Sequence, residues 1–368
     1  MGVPYHAEET NRGAIQRGRE GVGRWREDAG NSKGRSGGGR ESGKLREEIR
    51  PESRGSISGG QSSVRKGEDS SPRVRESHSR ITQSSRLHSA EMGSGEPKGF
   101  RQMKTLVVAN QKGGVGKTAT VVHLAFDFHE NKNLRVAFID LDTQANGSYT
   151  LRDFDSGCTA SELFDKGSEN IKTKFASLPD GPVLSLISSD PSLANMEKRS
   201  INEASKAFRE NVNALLKYFD VVLVDTAPSL GVGMAAALYA ADYVLSPIEM
   251  EAYSIQGIKK MLTTVANIRK ANPKLQFLGM MPSKVDARNP RHKRHLEELQ
   301  SAYPQLMIPA RIGLRSSIAD ALANCVPVWK IKKTAARKAA QEVREVSNFV
   351  YENIGVSADD TQLMRGAN

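Results

Sequence analysis

Between Met103 and the C-terminus, short apolar runs alternate with amphipathic stretches, whereas residues 1–102 carry neither pattern. Six runs stand out: TLVVAN (105–110), LRVAFIDLD (134–142), VLSLISSD (183–190), DVVLVDTAP (220–228), YVLSPIEM (243–250) and FLGMMPSKV (277–285). Each is nearly continuous in apolar residues and ends near polar or turn-forming ones, which predicts strands buried on both faces. Between the first two, TATVVHLAFDFHE (118–130) sets Val121, Val122, Ala125 and Phe128 on one side of a predicted helix. Further helices are predicted at 159–166, 193–218, 231–240, 254–271, 291–302 and 334–353. Apolar strands alternating with helices predict an α/β fold, a mostly parallel sheet with helices on both faces. Ligands on such sheets bind at the carboxyl ends of the strands.

Composition divides the chain near Phe100. Residues 1–102 are dense in Gly, Ser, Arg and Glu, as in NSKGRSGGGRESGK (31–44). So few apolar residues cannot offset the entropy of ordering, and a disordered extension is expected there. The formal charge is +11, from 53 Lys plus Arg against 42 Asp plus Glu. Residues 1–102 hold 20 of the basic and 14 of the acidic residues, so six surplus charges lie there and five in the rest. Met103 opens MKTLVVANQ like the start of a domain, so the expected division is an extension (1–102), a folded domain (103–356) and a polar tail (357–368). Cys158 and Cys325 are far apart and match no metal-site spacing, which fits a reducing cytoplasmic setting. No run reaches the ~20 apolar residues needed to span a bilayer. The N-terminus also lacks a secretory signal's apolar core.

The segment QKGGVGKT (111–118) lies between a strand and a helix, the context of a phosphate-binding loop. Its glycines let the backbone approach an anion, and successive N–H groups with the helix dipole hold phosphates. Gly113, Gly114, Val115, Gly116, Lys117, Thr118 and Ala119 are therefore expected to bind nucleotide, with Lys117 on the terminal phosphates and Thr118 on Mg²⁺. Asp225 closes VVLVD, where it can hold the metal's water shell. Asp140 and Asp142 end AFIDLD on one side of their strand. One could hold the metal or its waters and the other orient attacking water.

Lys112 is a second lysine, at the far end of the loop from Lys117. A cation there can stabilise charge that builds on a phosphoryl group, as an arginine finger does in trans. That predicts a sandwich homodimer in which Lys112 reaches the nucleotide of the other subunit.

KGGVGKT with its leading lysine, FIDLDTQANGS (138–148) and VVLVDTAPSLG (221–231) resemble the deviant Walker A ATPases of the ParA/MinD group. QKGGVGKT, DTQAN and SKVDARN (283–289) resemble the ParA branch, which segregates plasmids and chromosomes. The polar extension ahead of Met-Lys-Thr looks like the IncC-type partition proteins. The resemblance covers residues 103–350 and implies a P-loop NTPase fold with ATP and Mg²⁺ as ligands. It makes Lys112, Lys117 and Asp142 catalytic, with Asp142 polarising water, and Thr118, Asp140 and Asp225 the metal-binding set. It also implies that Pro247 in SPIEMEAYSIQG (246–257), and Lys284 and Asp286 in MPSKVDARN (281–289), line the nucleotide. Family behaviour implies a cycle: ATP drives dimerisation, the dimer binds DNA without sequence preference, and a ParB-type centromere-binding partner stimulates hydrolysis. Localisation is then cytoplasmic and nucleoid-associated.

The C-terminal third holds the cations a DNA surface needs. Arg291, Lys293 and Arg294 cluster first; Arg311, Arg315, Lys330, Lys332, Lys333 and Arg337 follow and are the expected DNA contacts. Phosphate neutralisation by such groups gives salt-sensitive, sequence-independent binding. A MinD-like membrane ATPase is the alternative, and it needs a C-terminal amphipathic helix in the lipid interface. Ala339, Val343, Val346 and Val350 make only a modest apolar face, better explained by core packing. An iron–sulfur reductase would need bridging cysteines in motifs that Cys158 and Cys325 do not match. A nucleotide-binding scaffold would need neither Asp142 nor Lys112.

Overall fold

The computed structural model describes residues 103–356, apart from Lys166, Ala252 and Tyr253 and the side chain of Leu216. The expected extension (1–102) and tail (357–368) lie outside the described residues. Seven parallel strands form one sheet in the order β3-β4-β2-β5-β1-β6-β7. They are β1 (Lys104–Val108), β2 (Arg135–Leu141), β3 (Asp155–Thr159), β4 (Val183–Ser188), β5 (Val221–Thr226), β6 (Tyr243–Glu249) and β7 (Gln276–Ser283). Ten α-helices are described: α1 (Lys117–Glu130), α2 (Asn146–Thr150), α3 (Glu169–Phe175), α4 (Leu193–Met196), α5 (Ile201–Ala214), α6 (Val232–Ala240), α7 (Ser254–Ile268), α8 (Pro290–Ala302), α9 (Ser316–Ala323) and α10 (Thr334–Ile354).

Strand alternation divides the buried apolar residues into two cores. Val107, Val222 and Val224 face one core with α5 to α8, while Leu106, Val108, Val221 and Leu223 face the other with α1, α9 and α10. Both faces of the central strands are therefore dry, which is why their runs are continuous rather than alternating. Burying one large aliphatic or aromatic side chain stabilises the fold by about 1.5–3 kcal/mol.

The six expected strands are present, with ends shifted by one or two residues. The polar β3 was not legible. It is an edge strand with a register shift between Asp155 and Cys158, and only Cys158 of its five residues is fully buried. The expected helix over 193–218 is broken. Ser200 is extended (φ −60°, ψ 127°), so the chain forms α4, then α5, then a 3₁₀ turn over Leu215–Lys217. The segment expected as a helix at 159–166 is a 3₁₀ turn over Ser161–Phe164.

The α10 helix buries Ala336, Ala339, Ala340, Val343, Val346, Val350 and Ile354. This stripe joins the core that holds α1, and Tyr351 meets Phe128 edge to face at 6.0 Å. Its apolar face is thus spent inside the molecule. Among the described residues no helix is long and apolar enough to cross a membrane.

Candidate nucleotide site

The β1 strand ends at Val108 between Asp225 of β5 and Leu245 of β6, and the chain turns through 109–116 into α1. Gly114 (φ 75°) and Gly116 (φ 90°) take left-handed conformations that side chains resist. A Cβ on Gly116 would also lie 2.8 Å from Ser283 Oγ, so the end of β7 presses on the loop. Asn110 secures the loop's entry. Its amide donates to the Pro247 carbonyl (2.8 Å) and to Ser246 Oγ (3.3 Å), and its oxygen accepts from the Lys112 N–H (2.9 Å).

Lys117 is 6% exposed and reaches towards the Lys112 carbonyl at 3.4 Å. Burial lowers its pKa, with Asp225 and Asp142 pulling the other way. Asp225 is fully buried; Oδ1 accepts from the Thr226 N–H (3.0 Å) and Oδ2 has no hydrogen-bond partner among the described residues. Burial first, then Asp140, drives its pKa well up, against the Thr118 hydroxyl and the Lys117 ammonium. The β2–β5 register sets Asp140 beside Asp225. Two buried carboxylates, Asp142 and Asp225, thus act on one ammonium, with a third, Asp140, beside Asp225. An orphaned oxygen beside a threonine hydroxyl and excess negative charge suit a hard divalent cation, so the residues fit Mg²⁺ with Thr118 and Asp225 as its holders.

Asp140, expected in that metal set, has both oxygens occupied by the chain. Oδ1 accepts from the Asp142 N–H (3.0 Å), and Oδ2 accepts from the Ser148 N–H (2.7 Å) and hydroxyl (2.8 Å). A Cβ on Gly147 would stand 3.0 Å from Oδ2, so glycine leaves room for this arrangement. Asp142 is 7% exposed, and its Oδ1 accepts from the Gln144 N–H at 3.0 Å.

Lys112 does not point freely into solvent. Its ammonium pairs with Glu249 (3.0 Å) and with Glu251, and Lys284 pairs with the other oxygen of Glu249 (3.3 Å). Burial opposes the Lys112 charge, but the hydrogen bonds it donates to Glu251 and Glu249 outweigh that and raise the pKa. Lys284, at φ 53°, is in the left-handed region, a strained conformation for its side chain. The Asp286 carboxylate is taken by Arg288 (3.1 Å), and among the described residues no hydrogen bond or ion pair joins it to the loop. Sequence reasoning missed Asn110, Glu249 and Glu251. The signal was available in Asn110 ahead of the loop and in two acids spaced by one residue at a strand's carboxyl end.

The expected DNA contacts separate into two groups. Arg315 forks onto Glu342 through Nε (2.7 Å) and its terminal nitrogen (2.6 Å), and Glu342 also accepts from the Gly313 N–H (3.0 Å). Arg315 is thus a strut between the 313–315 segment and α10. Lys330 pairs with Glu130 (2.6 Å) and Lys333 with Asp320 (2.7 Å). Arg311, Lys332 and Arg337 are exposed and enter no ion pair among the described residues.

A family model described as an AAA domain matches residues 103–277. Protein IncC of Escherichia coli is 54% identical over 365 residues, covering 97% of this chain and 100% of that protein. A ParA family protein of Chlamydia trachomatis is 30% identical over 258 residues, covering 68% of this chain and all of that one. The ATP complex of Cyanothece McdA shares the fold with a TM-score of 0.57 at 21% identity, covering 68% of this chain and 97% of that one. A phosphate loop with two lysines, a buried carboxylate pair on adjacent strands and near-full-length identity to IncC converge: the chain belongs to the ParA family of partition ATPases, in its IncC branch.

Proposed function

We propose that the protein hydrolyses Mg²⁺-bound ATP to move plasmid DNA apart. In that cycle an ATP-bound sandwich dimer binds duplex DNA without sequence preference, and a ParB-type partner triggers turnover and release. The protein then works in the cytoplasm, on the nucleoid. The observation that carries the reading is the pair Asp142 and Asp225 beside Lys117, where the phosphate loop enters its helix, with Asp140 next to Asp225. The carboxylates suit a divalent cation, and the loop N–H groups with Lys117 suit the phosphates that such a cation accompanies.

Within the site, loop N–H groups and Lys117 hold the phosphates, and Thr118 with Asp225 would hold Mg²⁺. The cation, when bound, would offset phosphate charge. Asp142 orients a water molecule; as that water's oxygen bonds to the γ-phosphorus, the bond to the bridging oxygen breaks, ADP leaves with that electron pair, and the water's proton passes to an oxygen of the released phosphate. Lys112 would leave Glu249 and Glu251 to meet the partner's triphosphate. An in-trans cation of this kind is worth about 10³–10⁵ in rate in related phosphoryl transfers.

ATP turnover and binding of Lys112→Ala, Lys117→Ala and Asp142→Ala test the reading, measured with and without duplex DNA. Lys117→Ala is expected to lose binding. Asp142→Ala should bind ATP normally but turn over at least about 100-fold more slowly. Lys112→Ala is expected to bind as a monomer. Wild-type turnover in Asp142→Ala would sink the proposal.

A further inference from the structure

The loop carrying Asp142 is closed into a ring of hydrogen bonds. The Asp142 N–H donates to Asp140 Oδ1 (3.0 Å), and Asp140 Oδ2 accepts from the Ser148 hydroxyl (2.8 Å). Ser148 Oγ accepts in turn from the Ser189 N–H (2.8 Å), and the Ser189 hydroxyl returns to the Asp142 carbonyl (2.8 Å). Ser189 directly follows β4, the neighbour of β2, so the ring bridges two adjacent strand ends. Asp142 is gripped at its N–H and its C=O, and Gln144 fixes Oδ1. Its Oδ2 accepts from no described residue and is left for water.

Satisfying buried groups accounts for part of this ring but not all of it. Asp140 needs donors because it is fully buried, and Ser148 supplies them. The Asp142 carbonyl, however, already accepts from the Ala145 N–H at 2.8 Å. The Ser189 hydroxyl satisfies nothing that would otherwise be orphaned there. What it adds is a second direction of restraint.

We propose that Ser148 and Ser189 are positioning residues for hydrolysis, holding the Asp142 backbone so that its free oxygen meets attacking water in one orientation. This rests on the role given to Asp142 above. A misplacement of about 1 Å can cost roughly 100-fold in rate, so a loosened rather than absent Asp142 should cost about tenfold.

The test uses the full chain with Mg²⁺ and ATP, reading kcat, the affinity for a fluorescent ATP analogue and the melting temperature. Ser189→Ala is expected to lower kcat about tenfold while affinity and melting stay unchanged, and Ser189→Thr, which keeps the hydroxyl, should recover most of the rate. Because both serines belong to one ring, Ser148→Ala/Ser189→Ala should be little slower than the slower single variant. Asp142→Asn serves as the internal reference. An inactive Asp142→Asn beside a fully active Ser189→Ala overturns the positioning role and leaves the catalytic reading standing. Loss of affinity and melting temperature in Ser189→Ala, without recovery in Ser189→Thr, also overturns it by showing a purely structural role. An active Asp142→Asn removes the catalytic reading, and this proposal with it.

Discussion

Asp225 shows how a binding site is built against the stability of its own fold. Its carboxyl is buried with an orphaned oxygen and a pKa raised by that burial and by Asp140. A carboxyl with a raised folded-state pKa binds its proton more tightly in the folded chain than in the unfolded one. The nucleotide-free protein therefore gains stability as pH falls towards that pKa and loses it as pH rises through it. Asp225→Asn should melt higher than wild type at neutral pH without ligand, by an amount on the order of 1–3 kcal/mol. It should also gain little from Mg²⁺ and ATP, which stabilise the wild type by mass action. Thermal melts across pH, with and without ligand, check both parts; a variant that melts lower in both states contradicts them. The positions of Lys117, Thr118 and Asp225 at the phosphate loop and the strand end beside it were legible because each closes or follows a run whose type and spacing are specific. Ser148 and Ser189 were not, since one hydroxyl in a loop reads like any other until its partners are known.

At the scale of elements, the basic residues of 311–337 form one stretch in sequence, and the structure divides it. The Arg315–Glu342 pair joins the 313–315 segment to α10, and Glu342 is mostly buried. Removing one partner of such a pair leaves a buried charge and costs about 3–5 kcal/mol. Arg315→Ala is therefore expected to lower the melting temperature by roughly 10 °C, at about 2–4 °C per kcal/mol. Glu342 titrates below its usual range: burial works the other way, but Arg315 and the Gly313 N–H prevail. Its contribution is thus present above the unfolded-state pKa and is lost as pH falls through the folded one. By contrast, Arg311→Ala/Lys332→Ala/Arg337→Ala should leave melting and basal ATP turnover unchanged while weakening duplex binding and flattening its salt dependence by about three contacts' worth. Filter binding over a salt series decides this, and an unchanged slope removes these residues from the interface. Helix period could not separate the groups, because a strut and a solvated cation share one composition.

At the scale of the whole molecule, Lys112 links the monomer to the expected dimer. In the single chain its ammonium is held by Glu249 and Glu251, at the carboxyl end of β6. The proposed association across the phosphate loops requires its release. Glu249→Gln/Glu251→Gln should therefore shift ATP-dependent dimerisation to protein concentrations several-fold lower, within the range of ordinary coupling energies. Sedimentation velocity reads this directly; a shift to higher concentrations would show that the two acids support the dimer instead. Sequence alone determined six of the seven described strands, their two-sided burial and the phosphate loop, because each rests on local patterns: continuous apolar runs, glycine spacing, an acid closing a strand. Only the tertiary structure decided which charges are committed to partners and which are left for ligands. That follows from contacts between residues far apart in the chain, such as Lys112 with Glu249 and Arg315 with Glu342, whose meeting no local period encodes.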